Sequence, residues 1–222
     1  MLIFSVDTSS RNGSLALAEA GADSFAVLEV VPLAGGTYSG RLIPELSALL
    51  LRHRRQKHEL EAFTVVSGPG SFTGLRVGLA SVKALADVLQ RPVAAVSMLE
   101  AIAAQGSGRG LVIAALDAGR KEVYTGEYER RPDGELGAGR ESLRSHAQLL
   151  ALLESNPSAE LITPDAEVGS SAGLHLRVKQ IDWQDAGVIA RLGLAKIRAG
   201  HTVAPEALEA NYIRRSDAEI FS

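Results

Sequence analysis

The residues best suited by type and spacing to do chemistry are two aspartates and a glycine-rich turn. Asp7 closes the apolar run Leu2-Ile3-Phe4-Ser5-Val6, and Asp117 closes Leu111 to Leu116. A carboxylate at a strand end can hold Mg²⁺ and, through it, phosphate. The competing reading, and the favoured one, is a vestigial phosphate site whose aspartates cap loop amides. Between them, Ser67-Gly68-Pro69-Gly70 joins the β-branched run Phe63 to Val66 to a helix. Such a turn can cradle phosphate at a helix N-terminus. This one lacks the Gly-Lys-Ser/Thr of a P-loop. Gly68, Pro69, Gly70, Ser71, Thr73 and Gly74 therefore read as a structural loop in which backbones pack closely. Of the five histidines (His53, His58, His146, His175, His201), no two are three or four apart. No helical face then presents a histidine pair, and no metal site is assigned. There is no cysteine and no Gly-x-Ser-x-Gly elbow, so thiolate chemistry and the common hydrolase arrangement are set aside. No catalytic residue is assigned.

The glycine turn opens a helix with Ser71 or Thr73 as N-cap and Arg91-Pro92 as its stop. At about 100° per residue, Leu75, Leu79, Val82, Leu85, Ala86 and Leu89 fall on one arc. Val77, Ala80, Ser81, Ala84 and Val88 fall on the opposite side. Arg76, Lys83, Asp87 and Gln90 leave only a narrow polar wedge. A helix apolar nearly all round is covered twice, here by its own sheet and by another helix or a partner chain. An earlier helix, Tyr38 to Arg55, places Leu42, Ile43, Leu46, Leu49 and Leu50 on its inner arc and Leu51 on the far side. The basic run Arg52 to His58 reads as a solvated helix C-terminus; contact with RNA phosphate is the alternative.

The chain has 222 residues, 46% hydrophobic, with net charge −3. That is enough apolar matter for a substantial core and gives no push towards nucleic acid or anionic membrane. Met1 to Asp7 lacks the basic start of a signal peptide, and no apolar run approaches the roughly 20 residues that span a bilayer; a cytoplasmic protein is expected. The N-terminal pattern repeats in the second half: apolar strand, aspartate, short polar turn, returning strand. Leu2–Asp7 with Ser14–Ala18 matches Leu111–Asp117 with Glu122–Tyr128, which suggests an internal duplication. Gln105 to Gly110 offers the best boundary, dividing the chain into lobes 1–105 and 106–222. The expected fold is α/β: two ribonuclease H-like lobes with mixed sheets, of the actin, sugar kinase and Hsp70 type.

VDTSS near the start, SGPGSFTGLRVG at the centre, VSMLEA, LDAGRKEVYTGEY and NYIRR near the end resemble the TsaB (YeaZ) family, in order and spacing over essentially the whole chain. The resemblance implies a non-catalytic subunit of the machinery that makes N6-threonylcarbamoyladenosine at position 37 of ANN-decoding tRNAs. It implies a heterodimer with the catalytic paralogue TsaD through helices of the N-terminal lobe, here Gly40 to Arg52 and Gly74 to Leu89. TsaE joins with nucleotide, and tRNA is met indirectly. The interface residues would be Leu42, Leu46, Leu51, Val77, Ala80, Ser81, Ala84 and Val88, with a homodimer through the same surface when TsaD is missing. No cofactor is expected on the chain alone; ATP or ADP with Mg²⁺ belongs to the full complex. Tyr38 stands where many members have histidine. Two other readings stay open: an ATP- and Mg²⁺-dependent enzyme of the actin and sugar kinase group using Asp7 and Asp117, and a peptidase like those of family M22, for which no metal pair or nucleophile speaks.

Overall fold

The computed structural model describes residues 1–171 and 178–214. Contacts divide the chain into two units, Met1–Met98 with Gln184–Asn211 and Leu99–Trp183 with Tyr212–Ser222.

The first unit is built on a five-stranded mixed sheet. In chain order it contains β1 (Leu2–Asp7), β2 (Asn12–Ala20), β3 (Phe25–Ala34), α1 (Tyr38–Arg52), β4 (Leu60–Gly68), α2 (Phe72–Leu89) and β5 (Val93–Ser97). The spatial order is β3-β2-β1-β4-β5. The first three strands form an antiparallel meander, and β4 and β5 add in parallel. β1 is buried at every residue, as a central strand covered on both faces must be. Side chains alternate across it. Ile3 meets Ala18, Ala62, Ala190 and Leu194 on one face, where α6 (Ala186–Arg198) packs. Val6 points to the other face, under Gly78 of α2. The unit is thus three layers: α6, sheet, and the pair α1 and α2.

The second unit repeats the plan. After α3 (Met98–Ala103) come β6 (Gly110–Gly119), β7 (Glu122–Arg130), β8 (Arg140–Ser145), α4 (His146–Ser155), β9 (Glu160–Thr163), α5 (Ala166–Ser171) and β10 (Val178–Gln180). The order β10-β9-β6-β7-β8 is the first sheet's order read from the other edge. β6 pairs antiparallel with β7 and parallel with β9, as β1 does with β2 and β4. The duplication expected from the aspartate-ended hairpins is therefore present strand for strand, and both sheets have the ribonuclease H-like order. Ile113, Ala115, Val123, Leu149 and Leu161 form the core of this unit.

Several expectations are corrected. α6 was placed with the second lobe by the division at 105/106, yet it packs on the first sheet: Ala190 and Leu194 find their apolar partners there. α1 stops at Arg52, not Arg55; Arg54 takes a φ of 52°, and Gln56 and Glu59 form a reciprocal capping box that starts a separate short turn. β8 carries the run Arg-Glu-Ser-Leu-Arg-Ser, which has no apolar alternation to betray it. It is held by polar pairs instead: Tyr128 Oη donates to Glu141 at 2.6 Å and Arg144 to Glu127 at 2.7 Å. The chain is described again from Val178, the first residue of β10; His175 and residues 215–222 lie outside the described residues. Among the described residues, no helix is long and apolar enough to cross a membrane.

Candidate functional site

The loop between β4 and α2 is a backbone-to-backbone junction. The Gly68–Pro69 peptide is cis, and Gly68 has a φ of 134°, open to glycine and strained for other residues. Ser71 N–H donates to the Ser9 carbonyl at 2.6 Å, and Asn211 N–H to the Ser67 carbonyl at 2.8 Å. Thr8 Oγ1 donates to the Gly74 carbonyl at 2.8 Å. A Cβ on Gly74 would collide with the Thr8 carbonyl oxygen, so the first turn of α2 lies directly on the chain that leaves β1. Ser71 is the N-cap, accepting from Gly74 N–H at 3.3 Å; Thr73 is exposed.

Asp7 sits beneath this junction, 1% exposed. One carboxylate oxygen accepts from Ser9 N–H at 2.8 Å and from Ser9 Oγ at 2.7 Å. Burial pushes its pKa up to about 6; the two Ser9 hydrogen bonds oppose the shift and the Asp185 carboxylate adds to it. Asp117 is exposed. It accepts from Gly119 N–H at 3.0 Å, and its own N–H donates to Asp165 at 2.7 Å. Burial, with the nearby charges of Asp117 and Glu167, raises the Asp165 pKa. Asp7 and Asp117 belong to different units and each caps the turn that follows it. Among the described residues, no three acidic, histidine or cysteine side chains gather as metal ligands.

The outer faces of α1 and α2 carry the three most exposed large apolar side chains among the described residues. Leu51 and Val88 are each 79% exposed and Ile43 46%. Ala80 and Ala84 are exposed; Val77 and Ser81 are half-buried. Leu42 and Leu46, at 1% and 4%, face inward and are no part of this surface; Ile43, expected inside, lies outside. The rotation follows from packing: Leu42, Leu46, Leu49 and Leu50 give the sheet a continuous i, i+4, i+7, i+8 stripe, which leaves Ile43 and Leu51 outward. On α2 the inward stripe is Leu75, Leu79, Val82 and Ala86, as the arc required.

Half of the basic run is paired within its own unit. Arg52 and His53 both meet Glu29, at 2.7 and 2.8 Å, and Arg55 meets Glu19 at 2.7 Å and Glu59 at 3.3 Å. Arg52 and His53 hold the Glu29 carboxyl below its usual range. Sequence reasoning missed a cleft of about 480 Å³ beside α2, lined by Ser10, Arg11, Ser39, Ser71, Thr73 and Val77 among others. Its floor is Tyr38, whose hydroxyl accepts from Gly13 N–H at 3.0 Å and donates to the Ser10 carbonyl. The residues come from three separate loops and from the starts of α1 and α2, and no local pattern joins them.

Residues 30–178 match the family model described as TsaD, tRNA N6-adenosine threonylcarbamoyltransferase. The chain belongs to this family. Within it, similarity runs to TsaB. The tRNA threonylcarbamoyladenosine biosynthesis protein TsaB of Bacillus subtilis is 35% identical over 130 residues, which span 58% of this chain and 56% of that protein. Its counterpart in Escherichia coli is 28% identical over 228 residues, 98% of this chain and 96% of that one. The solved structure of YeaZ from Pseudomonas aeruginosa superposes with a TM-score of 0.75 at 25% identity, covering 95% of this chain and 100% of that one. The TsaB-type identity read from the central motif therefore holds along the chain.

Proposed function

We propose that this TsaB-type chain is the non-catalytic subunit of tRNA threonylcarbamoyladenosine biosynthesis, and that it activates a TsaD-type partner by docking on it through the outer faces of α1 and α2. The observation that carries the reading is the pair Leu51 and Val88, each 79% exposed on neighbouring helices. Fully covering a side chain of that size is worth roughly 1.5–3 kcal/mol, and an apolar surface rimmed by polar residues marks an interaction site. The corrected interface is Ile43 and Leu51 on α1 with Val77, Ala80, Ser81, Ala84 and Val88 on α2. The small residues at its centre let a partner helix come close. TsaE with nucleotide completes the assembly, ATP or ADP with Mg²⁺ enters with the complex, and tRNA is reached through the partner. In the partner's absence two copies of the chain cover the same faces. The cytoplasm is the compartment that tRNA modification requires.

The test is reconstitution. Threonylcarbamoyladenosine formation by the host's TsaD-type and TsaE-type proteins is measured with and without this chain. Full modification without it removes the activating role. A second reading has one observation in its favour: Asp7 and Asp117 occupy equivalent strands of the two sheets, as in ATP-using enzymes of this architecture. Asp7 is already engaged by Ser9. Heat released or nucleotide hydrolysed on mixing the lone chain with Mg-ATP supports that reading; their absence in calorimetry removes it.

A further inference from the structure

We infer that the cleft beside Arg11 receives an acidic side chain of the docked partner, so that pairing joins an apolar contact along α1 and α2 to one charge pair at its edge. The inference rests on the docking surface proposed above. Val77 belongs to that surface and also lines the cleft, with Ser39 at the start of α1 beside it. A chain that covers α2 from Val88 to Val77 therefore ends over the opening.

What it would meet there is cationic and rich in donors. Arg11 is the one charged residue of the lining. Arg41, Arg52 and Arg55 of the same unit each have a carboxylate partner. Arg11 has no ion pair among the described residues. A guanidinium left unpaired at the rim of an interface loses water without recompense when the interface closes, and a carboxylate opposite it removes that cost. The hydroxyls add to the match. Ser71 Oγ already accepts from Gly74 N–H, and Ser10 Oγ from Asn12 N–H. Each therefore keeps its hydrogen to donate, which suits an acceptor-only carboxylate.

The experiment measures the dissociation constant of the complex with the host's TsaD-type protein, for the wild-type chain, Arg11→Ala, Arg11→Glu and Val88→Glu, at low and high salt. Arg11 is exposed, so its variants keep the wild-type melting temperature. The inference expects Arg11→Ala to weaken pairing about tenfold at low salt, the scale of one charge-assisted contact. Arg11→Glu weakens it further, and both differences shrink at high salt. Arg11→Glu pairing as wild type does, while Val88→Glu fails to pair, overturns the cleft occupant and leaves the docking surface standing. Val88→Glu pairing normally overturns the surface and the cleft with it. Binding of inorganic phosphate by the free chain, lost in Arg11→Ala, assigns the cleft to a small anion and overturns the inference.

Discussion

Replacing Asp7 by asparagine removes a buried charge without changing the shape of the side chain. The pKa of Asp7 is raised from 3.8 to about 6, chiefly by burial. Each pKa unit corresponds to about 1.36 kcal/mol, so ionised Asp7 costs the folded state about 3 kcal/mol at neutral pH. The sign is that of a carboxylate whose folded pKa lies above its unfolded value. Between about pH 4 and pH 6 the folded state binds the extra proton, so the contribution of Asp7 to stability falls as pH rises through that window. Below it the penalty is absent; above it the penalty is complete. The asparagine side chain keeps an oxygen that can accept from Ser9 N–H and Oγ, while its new amide hydrogens need acceptors of their own. The net gain is therefore expected at about 1–3 kcal/mol at neutral pH. Urea unfolding of both proteins across the window isolates the effect, because Glu29, Glu59 and Glu61, whose pKa values are lowered, titrate alike in each. The stability of the variant relative to wild type should rise by about 3 kcal/mol between pH 4 and above pH 6, from an offset at low pH set by the amide hydrogens alone. An Asp7→Asn variant less stable than wild type at neutral pH, with an unchanged profile, would show that the Ser9 hydrogen bonds outweigh desolvation.

Two further substitutions separate packing from docking. Leu46→Ala empties a site that is 4% exposed and should cost about 2–5 kcal/mol in chemical unfolding, while the folded variant still pairs with its partner; loss of pairing in a fully folded variant would return Leu46 to the interface. Gly74→Ala drives a methyl group into the Thr8 carbonyl and should destabilise by about 1–3 kcal/mol; an unchanged melting temperature would mean that α2 and the segment after β1 are not in the contact described.

The hairpins that open each unit were legible because Asp7 and Asp117 each end an apolar run beside a polar turn, and two copies of one pattern reinforce each other. The inward stripe of α2 was legible because Leu75, Leu79, Val82 and Ala86 keep helical spacing. The orientation of α1 was not. Leucine and isoleucine fill positions 42, 43, 46, 49, 50 and 51, and with so many apolar side chains periodicity alone leaves a rotation open that only the sheet resolves. β8 escaped because it is an edge strand paired through Tyr128, Glu127 and Arg144 rather than through apolar burial. The place of α6 escaped because a helix far along the chain carries no local mark of which sheet it covers. The cleft escaped for the same reason, its lining being assembled from loops and helix starts distant in sequence.

The measurement that bears most directly on the account is sedimentation of this chain with its host's TsaD-type protein, using wild type, Ala84→Arg and Val88→Glu. Both substituted residues are exposed, so the variants should melt with wild type. The account predicts a stable heterodimer for wild type and a loss of about thirtyfold or more in affinity for each variant, the scale of an interface hot spot. Variants that pair as tightly as wild type would contradict it.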